Sequence, residues 1–199
     1  MQTLVISGSR NPEGRTASLI NSLCRGIGAG GGDYEVLFLS QMDIELCRQC
    51  NDDGWGICRE DNECIIEDDF ASIVDKIGKA DAVVFANPVY FGDLSESMKA
   101  FLDRFRRIRA KVVPQPLTGP FNNDKGDLAM GICYAGGSGN GTASCCLNLE
   151  RILQTCGFDV VDMIPIRRQN LEAKTRILEI TGEWLATMPS SSKCKLEPV

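Results

Sequence analysis

Thr3-Leu-Val-Ile-Ser7 runs directly into the turn Gly8-Ser-Arg-Asn-Pro-Glu-Gly-Arg-Thr16, after which a helical pattern begins. Backbone N–H groups in such a strand-to-helix turn point outward, and the dipole of the following helix adds positive potential. The side chains that can add further donors are Ser9, Arg10, Arg15 and Thr16. We therefore expect the turn to bind an anion. The alternative is an ordinary turn in which Thr16 caps the helix while Gly8 and Gly14 relieve backbone strain.

The turn matches the phosphate loop of nucleotide hydrolases only in part. Five residues separate Gly8 from Gly14, and Arg15 stands where that loop requires lysine. The third predicted strand is followed by Asn87, not by the aspartate that would hold magnesium. The turn contains no G-x-G-x-x-G pattern, and the second strand ends without the acid that binds a dinucleotide ribose. The sequence therefore predicts a phosphate monoester.

Composition predicts one soluble domain. With 199 residues, of which 43% are hydrophobic, the chain suits a single domain with a full core. We expect it to span residues 1–188, with a cysteine-rich loop at 40–66 and a flexible tail at 189–199. The formal net charge of -6 argues against a nucleic-acid partner. The chain shows neither a membrane-spanning apolar run nor a signal peptide, so we expect a cytoplasmic protein without a membrane partner.

The chain contains no histidine. This absence excludes Ser-His-Asp and Cys-His catalysis and the HExxH zinc enzymes, so the chemistry must come from carboxylates, thiols or a bound cofactor. Ten cysteines are present, and a reducing cytosol favours free thiols over a disulfide framework. The cysteines that fall in apolar patterns, and that we expect to be buried, are Cys24, Cys133, Cys145, Cys146 and Cys156. Cys194 lies in the predicted tail.

Strand and helix patterns alternate along the chain. Strands are predicted at 3–7, 34–39, 81–86, 127–134 and 158–164, and helices at 17–27, from 68 or 69, at 95–108, 142–156 and 171–187. The carboxylates at 67–69 are expected to complement a helix N-terminus. Such alternation predicts an α/β fold: a doubly wound five-stranded parallel sheet of order 2-1-3-4-5 with helices on both faces. The loops after strands one, three and four then converge on one crevice.

Two of these loops are suited to a flat heteroaromatic ring. The loop after strand three contains Pro88, Val89, Tyr90, Phe91 and Gly92, which combine aromatic faces with a fixed backbone. The loop after strand four contains Gly136, Gly137, Gly139 and Gly141, which allow close backbone approach. A planar ring with a phosphate tail fits this arrangement. Core packing of Tyr90 and Phe91 is the alternative.

Taken together, the ordered motifs resemble the NADPH-dependent FMN reductase family of flavodoxin-like proteins. They are Ser7-Gly-Ser-Arg10 with Gly14-Arg-Thr16, Asn87-Pro-Val-Tyr-Phe-Gly92 with Lys99 and Asp103-Arg104, and Ala135-Gly-Gly137. The resemblance implies bound FMN, NAD(P)H as co-substrate, and a homodimer or homotetramer. It places the cofactor phosphate at Ser9, Arg10, Gly14, Arg15 and Thr16, and the ring at Pro88, Val89, Tyr90, Phe91, Gly92, Ala135, Gly136, Gly137 and Ser138.

The cysteine-rich loop is similar to that of the iron-sulfur flavoproteins. Cys47, Cys50, Cys58 and Cys64 have the spacing C-x2-C-x7-C-x5-C, and four thiols are enough for a 4Fe-4S cluster or a structural zinc. The iron-sulfur flavoproteins keep their first three cysteines compact, whereas residues 51–57 lengthen the second gap here. A cluster, zinc, a redox-active dithiol and an unmetallated loop all remain open at this point.

Three functions follow as hypotheses. The first is an FMN-dependent oxidoreductase that transfers electrons from NAD(P)H to a small acceptor, namely flavin, quinone or metal. The second is an iron-sulfur flavoprotein electron carrier fed by ferredoxin, and the third is a thiol redox sensor. Ser138 is a candidate donor to the flavin ring. The arginines 104, 106, 107 and 109, with 167 and 168, either attract the phosphates of the pyridine nucleotide or form a solvated or subunit-contact surface.

Overall fold

The first strand, β1 (Gln2–Ser7), is buried at five of its six residues, as expected for a strand inside a parallel sheet. A computed structural model describes residues 1–109 and 128–188 of the chain. The other strands are β2 (Asp33–Phe38), β3 (Ala82–Pro88), β4 (Leu128–Ala135) and β5 (Asp159–Arg167). All pairings are parallel, and the strand order is β2-β1-β3-β4-β5. The predicted topology is therefore confirmed.

Five helices cover the two faces of the sheet: α1 (Arg15–Ala29), α2 (Phe70–Lys79), α3 (Glu96–Arg109), α4 (Thr142–Thr155) and α5 (Leu171–Thr187). Apolar residues of α1 and α5 pack on one face, and those of α2, α3 and α4 pack on the other. Short 3-10 turns lie at Leu39–Gln41, Ile57–Arg59 and Arg168–Asn170. Among the described helices, none is long and apolar enough to cross a bilayer.

Helices α1 and α5 cross with their backbones in contact. A Cβ atom built at Gly26 would lie 1.9 Å from the carbonyl oxygen of Glu179, and one at Gly182 would lie 2.2 Å from that of Leu23. Only glycine allows this approach. The contact fixes α1, whose N-terminus lies beside the candidate site.

Several boundaries differ from the predictions. Helix α1 begins at Arg15, two residues early, so Arg15 and Thr16 belong to its first turn. Strand β3 continues through Asn87 to Pro88, and β5 continues to Arg167. Pro165 is tolerated in β5 because this strand lies at the sheet edge, where a missing N–H breaks no ladder. The predicted tail, Cys194 and the Pro-rich stretch before β4 lie outside the described residues.

The five cysteines predicted to be buried are buried in the structure. Burial raises the pKa of the Cys24 thiol to about 11 and that of Cys156 to about 12. Such thiols are almost fully protonated near neutral pH and are poor nucleophiles. These two residues therefore act as small apolar side chains of the core.

Candidate functional site

The carboxyl ends of β1, β3 and β4 lie side by side and form one crevice. The backbone N–H of Gly8, just beyond β1, donates to the carbonyl of Ala86 at 2.9 Å. The N–H of Val89, just beyond β3, donates to the carbonyl of Tyr134 at 2.8 Å. The three loops that the sequence predicted to converge therefore leave the sheet as hydrogen-bonded neighbours.

The first loop presents an uncapped helix N-terminus. Gly14 is the N-cap of α1, and no side chain hydrogen bonds to the N–H groups of the first turn. These N–H groups have no intrahelical acceptor, so they are available to an anion. The Arg15 side chain is exposed beside them, whereas the Thr16 side chain is only 4% exposed. The alternative in which Thr16 caps the helix does not occur.

The other two predicted donors of this loop already have protein partners. The Arg10 guanidinium pairs with the carboxylate of Glu96 at 2.5 Å, at the exposed start of α3. The Ser9 hydroxyl donates to the carbonyl of Asn11 at 3.2 Å and accepts from its N–H at 3.3 Å. Ser9 therefore shapes the turn, and Arg15 is the predicted arginine of this loop that has no carboxylate partner among the described residues.

The second loop is a tight turn that exposes an aromatic ring. Tyr90 and Asp93 exchange two backbone hydrogen bonds, of 3.1 and 3.0 Å, across the two residues between them. Those residues, Phe91 and Gly92, have φ angles of 52° and 82°, the pattern of a type I′ turn. Asparagine and glycine favour the first of these positions, whereas phenylalanine is strained there. The Phe91 side chain is fully exposed, so core packing does not explain its presence.

The third loop meets this turn at two glycines. A Cβ atom at Gly141 would lie only 2.5 Å from the Cα of Gly92, and Gly141 itself has a φ of 82°. The Ser144 hydroxyl donates to the carbonyl of Gly92 at 2.8 Å, which ties the loops together. Gly137 and Ser138 lie exposed before this contact, just after Ala135 ends β4. The second and third loops are therefore in backbone contact, with Gly137 and Ser138 exposed beside that contact.

Asn87 is a buried residue with several hydrogen bonds at this edge of the sheet, and it was not among the predicted site residues. Its side-chain oxygen accepts from the backbone N–H of Ser95 at 3.1 Å and from the Ser95 hydroxyl at 2.9 Å. Its amide nitrogen donates to the carbonyl of Pro88 at 2.7 Å and to the Cys145 thiol at 3.5 Å. A Cβ at Gly8 would lie 2.8 Å from the Asn87 oxygen. One side chain thus fixes the loop after β3 against the loop after β1.

This crevice fits a mononucleotide with a flat ring. The uncapped helix start and Arg15 provide donors for a phosphate. Gly92 and Gly141 bring the second and third loops into backbone contact, and Phe91 offers an exposed aromatic face beside them. The predicted phosphate and ring residues are therefore brought to one edge of the sheet.

The four loop cysteines line a single cavity. Cys47, Cys50, Cys58 and Cys64 are partly exposed and line this cavity together with Arg48, Arg104 and Arg107, around an enclosed space of about 20 Å³. Within residues 1–109 and 128–188, no three histidine, cysteine, aspartate or glutamate side chains are arranged to hold a single metal ion. A tetrahedral zinc site would hold its sulfur atoms about 3.8 Å apart, given Zn–S bonds of about 2.3 Å. Among the described residues the thiols therefore do not surround a single ion, while four cysteines that line one cavity are the donor set that a 4Fe-4S cluster uses.

Arg104 is a buried cation at the wall of this cavity. Its side chain is 1% exposed and forms a two-pronged ion pair with Asp68, with N–O distances of 2.5 and 2.9 Å. The same guanidinium donates to the Cys64 thiol at 3.4 Å and to the carbonyl of Glu45 at 3.2 Å, and it lies 4.1 Å above the Phe70 ring. In the part of the chain that the structure describes, its Nε atom has no hydrogen-bond partner.

The environment of Asp68 keeps this pair ionised. Burial acts to raise the pKa of the Asp68 carboxyl, but hydrogen bonds from Arg104 and from the N–H groups of Glu45 and Phe70 outweigh it, so the pKa is lowered. Asp68 was expected to complement the start of α2, and its carboxylate does accept from the N–H of Phe70 there. The structure adds a second role, because the same carboxylate ties the cysteine loop to α3 through Glu45 and Arg104.

The residues that lengthen the cysteine loop fold against α3. The Trp55 ring lies between two guanidinium groups, 4.7 Å from Arg107 and 5.7 Å from Arg59, and Arg107 also donates to the carbonyl of Gly54 at 2.6 Å. Arg104 and Arg107 are therefore used inside this loop and not for pyridine nucleotide. A Cβ at Gly56 would lie 3.0 Å from the Cβ of Cys50, so the segment packs closely on that cysteine.

Backbone strain coincides with the two candidate sites. Among the described residues, four non-glycine residues have left-handed φ angles: Gln49, Asn51, Asn62 and Phe91. Three belong to the cysteine loop, and two of these flank Cys50 directly. Strain of this kind persists where the surrounding structure enforces it and concentrates at ligand sites. Gln49 in the cysteine loop and Phe91 in the loop after β3 therefore carry backbone strain, whereas asparagine tolerates the left-handed conformation.

Comparisons with known proteins agree with this geometry. The family model for NADPH-dependent FMN reductase matches residues 1–173. An iron-sulfur flavoprotein of Methanocaldococcus jannaschii is 35% identical over 109 residues, which are 55% of this chain and 54% of that protein. An iron-sulfur flavoprotein of Methanosarcina thermophila is 30% identical over 111 residues, 56% of each chain. These matches span about half the length of the two relatives.

Solved structures share the architecture. An NAD(P)H:quinone oxidoreductase from Methanothermobacter marburgensis has a TM-score of 0.71 at 18% identity, covering 95% of this chain and 98% of that chain. A flavodoxin from the domain Archaea has a TM-score of 0.55 at 14% identity, covering 94% and 100%. At these identities the likeness concerns the fold, which is flavodoxin-like.

Proposed function

This chain belongs to the NADPH-dependent FMN reductase family, and we propose that it is an FMN-dependent oxidoreductase that transfers electrons from NAD(P)H to a small acceptor such as flavin, quinone or metal. The observation that carries the proposal is the strained turn at Phe91, which holds a fully exposed aromatic ring at the carboxyl edge of the sheet, beside the exposed residues Gly137 and Ser138. Strained backbone concentrates at ligand sites, and an exposed aromatic face can stack on the flat ring of FMN.

In this proposal the chain positions the cofactor and leaves the chemistry to it. Arg15 and the backbone N–H groups at the start of α1 would hold the phosphate. Phe91 and the loop that begins at Gly136 would hold the ring, and the Ser138 hydroxyl would donate to it. When bound, FMN accepts a hydride and releases one or two electrons. The chain has no histidine, and this scheme requires none.

A second candidate is favoured by the cysteine cavity. Four thiols and three arginines line one space, so cysteine ligands and N–H donors to sulfur stand side by side there. We propose that Cys47, Cys50, Cys58 and Cys64 ligate a 4Fe-4S cluster, which supplies one-electron transfer when bound. A chain with both centres would then act as an electron carrier fed by ferredoxin. Without a cluster, the same thiols would make the loop a redox sensor.

Anaerobic spectroscopy separates these functions. The purified protein is reconstituted with FMN, iron and sulfide, and is then mixed in turn with NADPH, NADH and reduced ferredoxin. Loss of flavin absorbance with a pyridine nucleotide, followed by its return on addition of a quinone, supports the oxidoreductase. Reduction by ferredoxin alone supports the carrier. Protein that takes up no flavin contradicts both.

We also propose a homodimer or homotetramer. Three apolar side chains, Ile177, Ile180 and Trp184, follow one face of α5 and are 41%, 68% and 43% exposed. Such a stripe on a surface helix is typical of a helix that packs against another. Light scattering of the holoprotein tests the assembly, and a monomeric mass contradicts it.

A further inference from the structure

We infer that Arg104 is a positioning residue for the cysteine-bound centre, which it holds at a raised reduction potential through its hydrogen bond to Cys64. The inference rests on the proposed cluster and concerns a residue outside the ligand set. Its basis is the geometry of one guanidinium that joins a buried carboxylate to a candidate ligand sulfur.

The guanidinium cannot turn away from the sulfur. Asp68 holds both terminal nitrogens, at 2.5 and 2.9 Å, and the Phe70 ring lies 4.1 Å below the plane of Arg104. One terminal nitrogen then lies 3.4 Å from the Cys64 sulfur. Because both terminal nitrogens of the planar guanidinium are held, the direction of its N–H groups is fixed as well as the position of its charge.

The buried position makes the interaction strong and specific. The Arg104 side chain is 1% exposed, so water does not screen its charge from the cavity. Its Nε atom has no hydrogen-bond partner among the described residues, although unpaired buried donors are costly. An ion pair with a purely structural role would be expected to satisfy all its N–H groups. Arg104 instead keeps one N–H unpaired while it lines a cavity with four cysteines.

The direction of the effect follows from charge. Uptake of one electron makes a thiolate-bound cluster more negative, and an N–H donor beside a ligand sulfur stabilises the reduced form. The positive charge of Arg104 acts in the same direction. Loss of this donor should therefore lower the midpoint potential of the cluster.

The experiment is a potentiometric titration of the reconstituted holoprotein, in which the cluster is followed by electron paramagnetic resonance and the flavin by absorbance. The variants are Arg104→Gln and Arg104→Lys, and the matched control is Arg107→Gln. Arg107 lines the same cavity but contacts Trp55 and a backbone carbonyl, with no described hydrogen bond to sulfur.

We expect Arg104→Gln to lower the equilibrium constant for one-electron reduction of the cluster at least tenfold. This change corresponds to a midpoint potential that is about 59 mV lower. Arg104→Lys should shift it less, because it keeps the charge, and Arg107→Gln should shift it less than Arg104→Gln. The flavin potential should change less than the cluster potential in every variant.

Three results overturn the inference. One is an assembled cluster in Arg104→Gln that titrates at the wild-type potential, and another is a shift in Arg107→Gln that equals the shift in Arg104→Gln. Wild-type protein that takes up FMN but no iron also overturns it, and leaves the flavin proposal standing. If Arg104→Gln does not fold, resonance Raman spectra of wild-type protein in D2O decide the matter. Iron–sulfur stretching bands that shift on exchange support an N–H donor, and unshifted bands contradict it.

Discussion

Replacement of Phe91 by asparagine should stabilise the flavin-free protein and weaken its binding of FMN. Phe91 has a φ of 52°, and a left-handed conformation costs an ordinary side chain about 1–2 kcal/mol. Asparagine tolerates this conformation and is favoured in a type I′ turn. Because the ring is fully exposed, its removal sacrifices no buried contact. A gain of about 1 kcal/mol raises the Tm of a protein of this size by about 2–4 °C.

The effect on FMN has the opposite sign. An aromatic contact with the ring is worth about 0.5–1.5 kcal/mol, so Phe91→Asn should raise the Kd for FMN about 2- to 12-fold. Circular dichroism melts of the flavin-free protein give the first quantity, and quenching of flavin fluorescence gives the second. A variant that is less stable and binds FMN as well as the wild type would refute the reasoning.

Tyr90→Asn is the matched control. Tyr90 lies next to Phe91 and is 47% exposed, but it is not among the residues with left-handed φ. The control should therefore show no gain in Tm. An equal gain in both variants would indicate that the stability change comes from the loss of an exposed aromatic and not from relief of backbone strain.

Three further substitutions test the packing and the charges, and two of them have a matched control. Gly141→Ala should destabilise the protein by at least about 1–2 kcal/mol in urea melts and weaken FMN binding, because its Cβ would lie 2.5 Å from a backbone atom. Gly137→Ala, whose Cβ would have no described atom within 4 Å, should leave the unfolding free energy of the flavin-free protein unchanged. Gly26→Ala should lower the free energy of unfolding by about 1–3 kcal/mol, because its Cβ would clash where α1 crosses α5. Gly28→Ala, in the same helix, should raise it by up to about 1 kcal/mol. If urea melts show Gly26→Ala to be the more stable variant, the close helix crossing is contradicted. Folding lowers the pKa of Asp68, so its ionised carboxylate stabilises the fold at pH values above the ordinary carboxyl pKa of about 3.9. This stabilisation is lost as the pH falls through the lower pKa that Asp68 has in the folded protein. Asp68→Asn should therefore lower the free energy of unfolding by about 3–5 kcal/mol at neutral pH. On acidification, the free energy of unfolding of this variant should fall less than that of the wild type. Parallel pH profiles of the two proteins in urea melts would count against this reasoning.

The sequence predicted the topology because each strand runs into a turn and then into a helix. Three loops at the carboxyl ends of adjacent strands follow from that order alone. The buried cysteines followed from their apolar surroundings. These features depend on residues that are close together along the chain, so they can be predicted from a single sequence.

The contacts that shape the sites are not local. Arg104 stands in a run of basic residues, and its partner Asp68 is 36 positions away. One signal was available, since Arg104 falls on the apolar stripe formed by Phe101, Phe105 and Ile108 on α3. A charged residue on such a stripe predicts a buried pair. No comparable signal marks the turn at Phe91, because phenylalanine is atypical at its position.

Titration of flavin-free protein with FMN and, separately, with riboflavin tests the central claim most directly. The crevice should bind one FMN per chain, and riboflavin should bind more weakly, because it lacks the phosphate that the start of α1 and Arg15 would hold. Arg15→Ala should narrow the difference between the two ligands. Absence of saturable FMN binding, or equal affinity for FMN and riboflavin, would contradict the account.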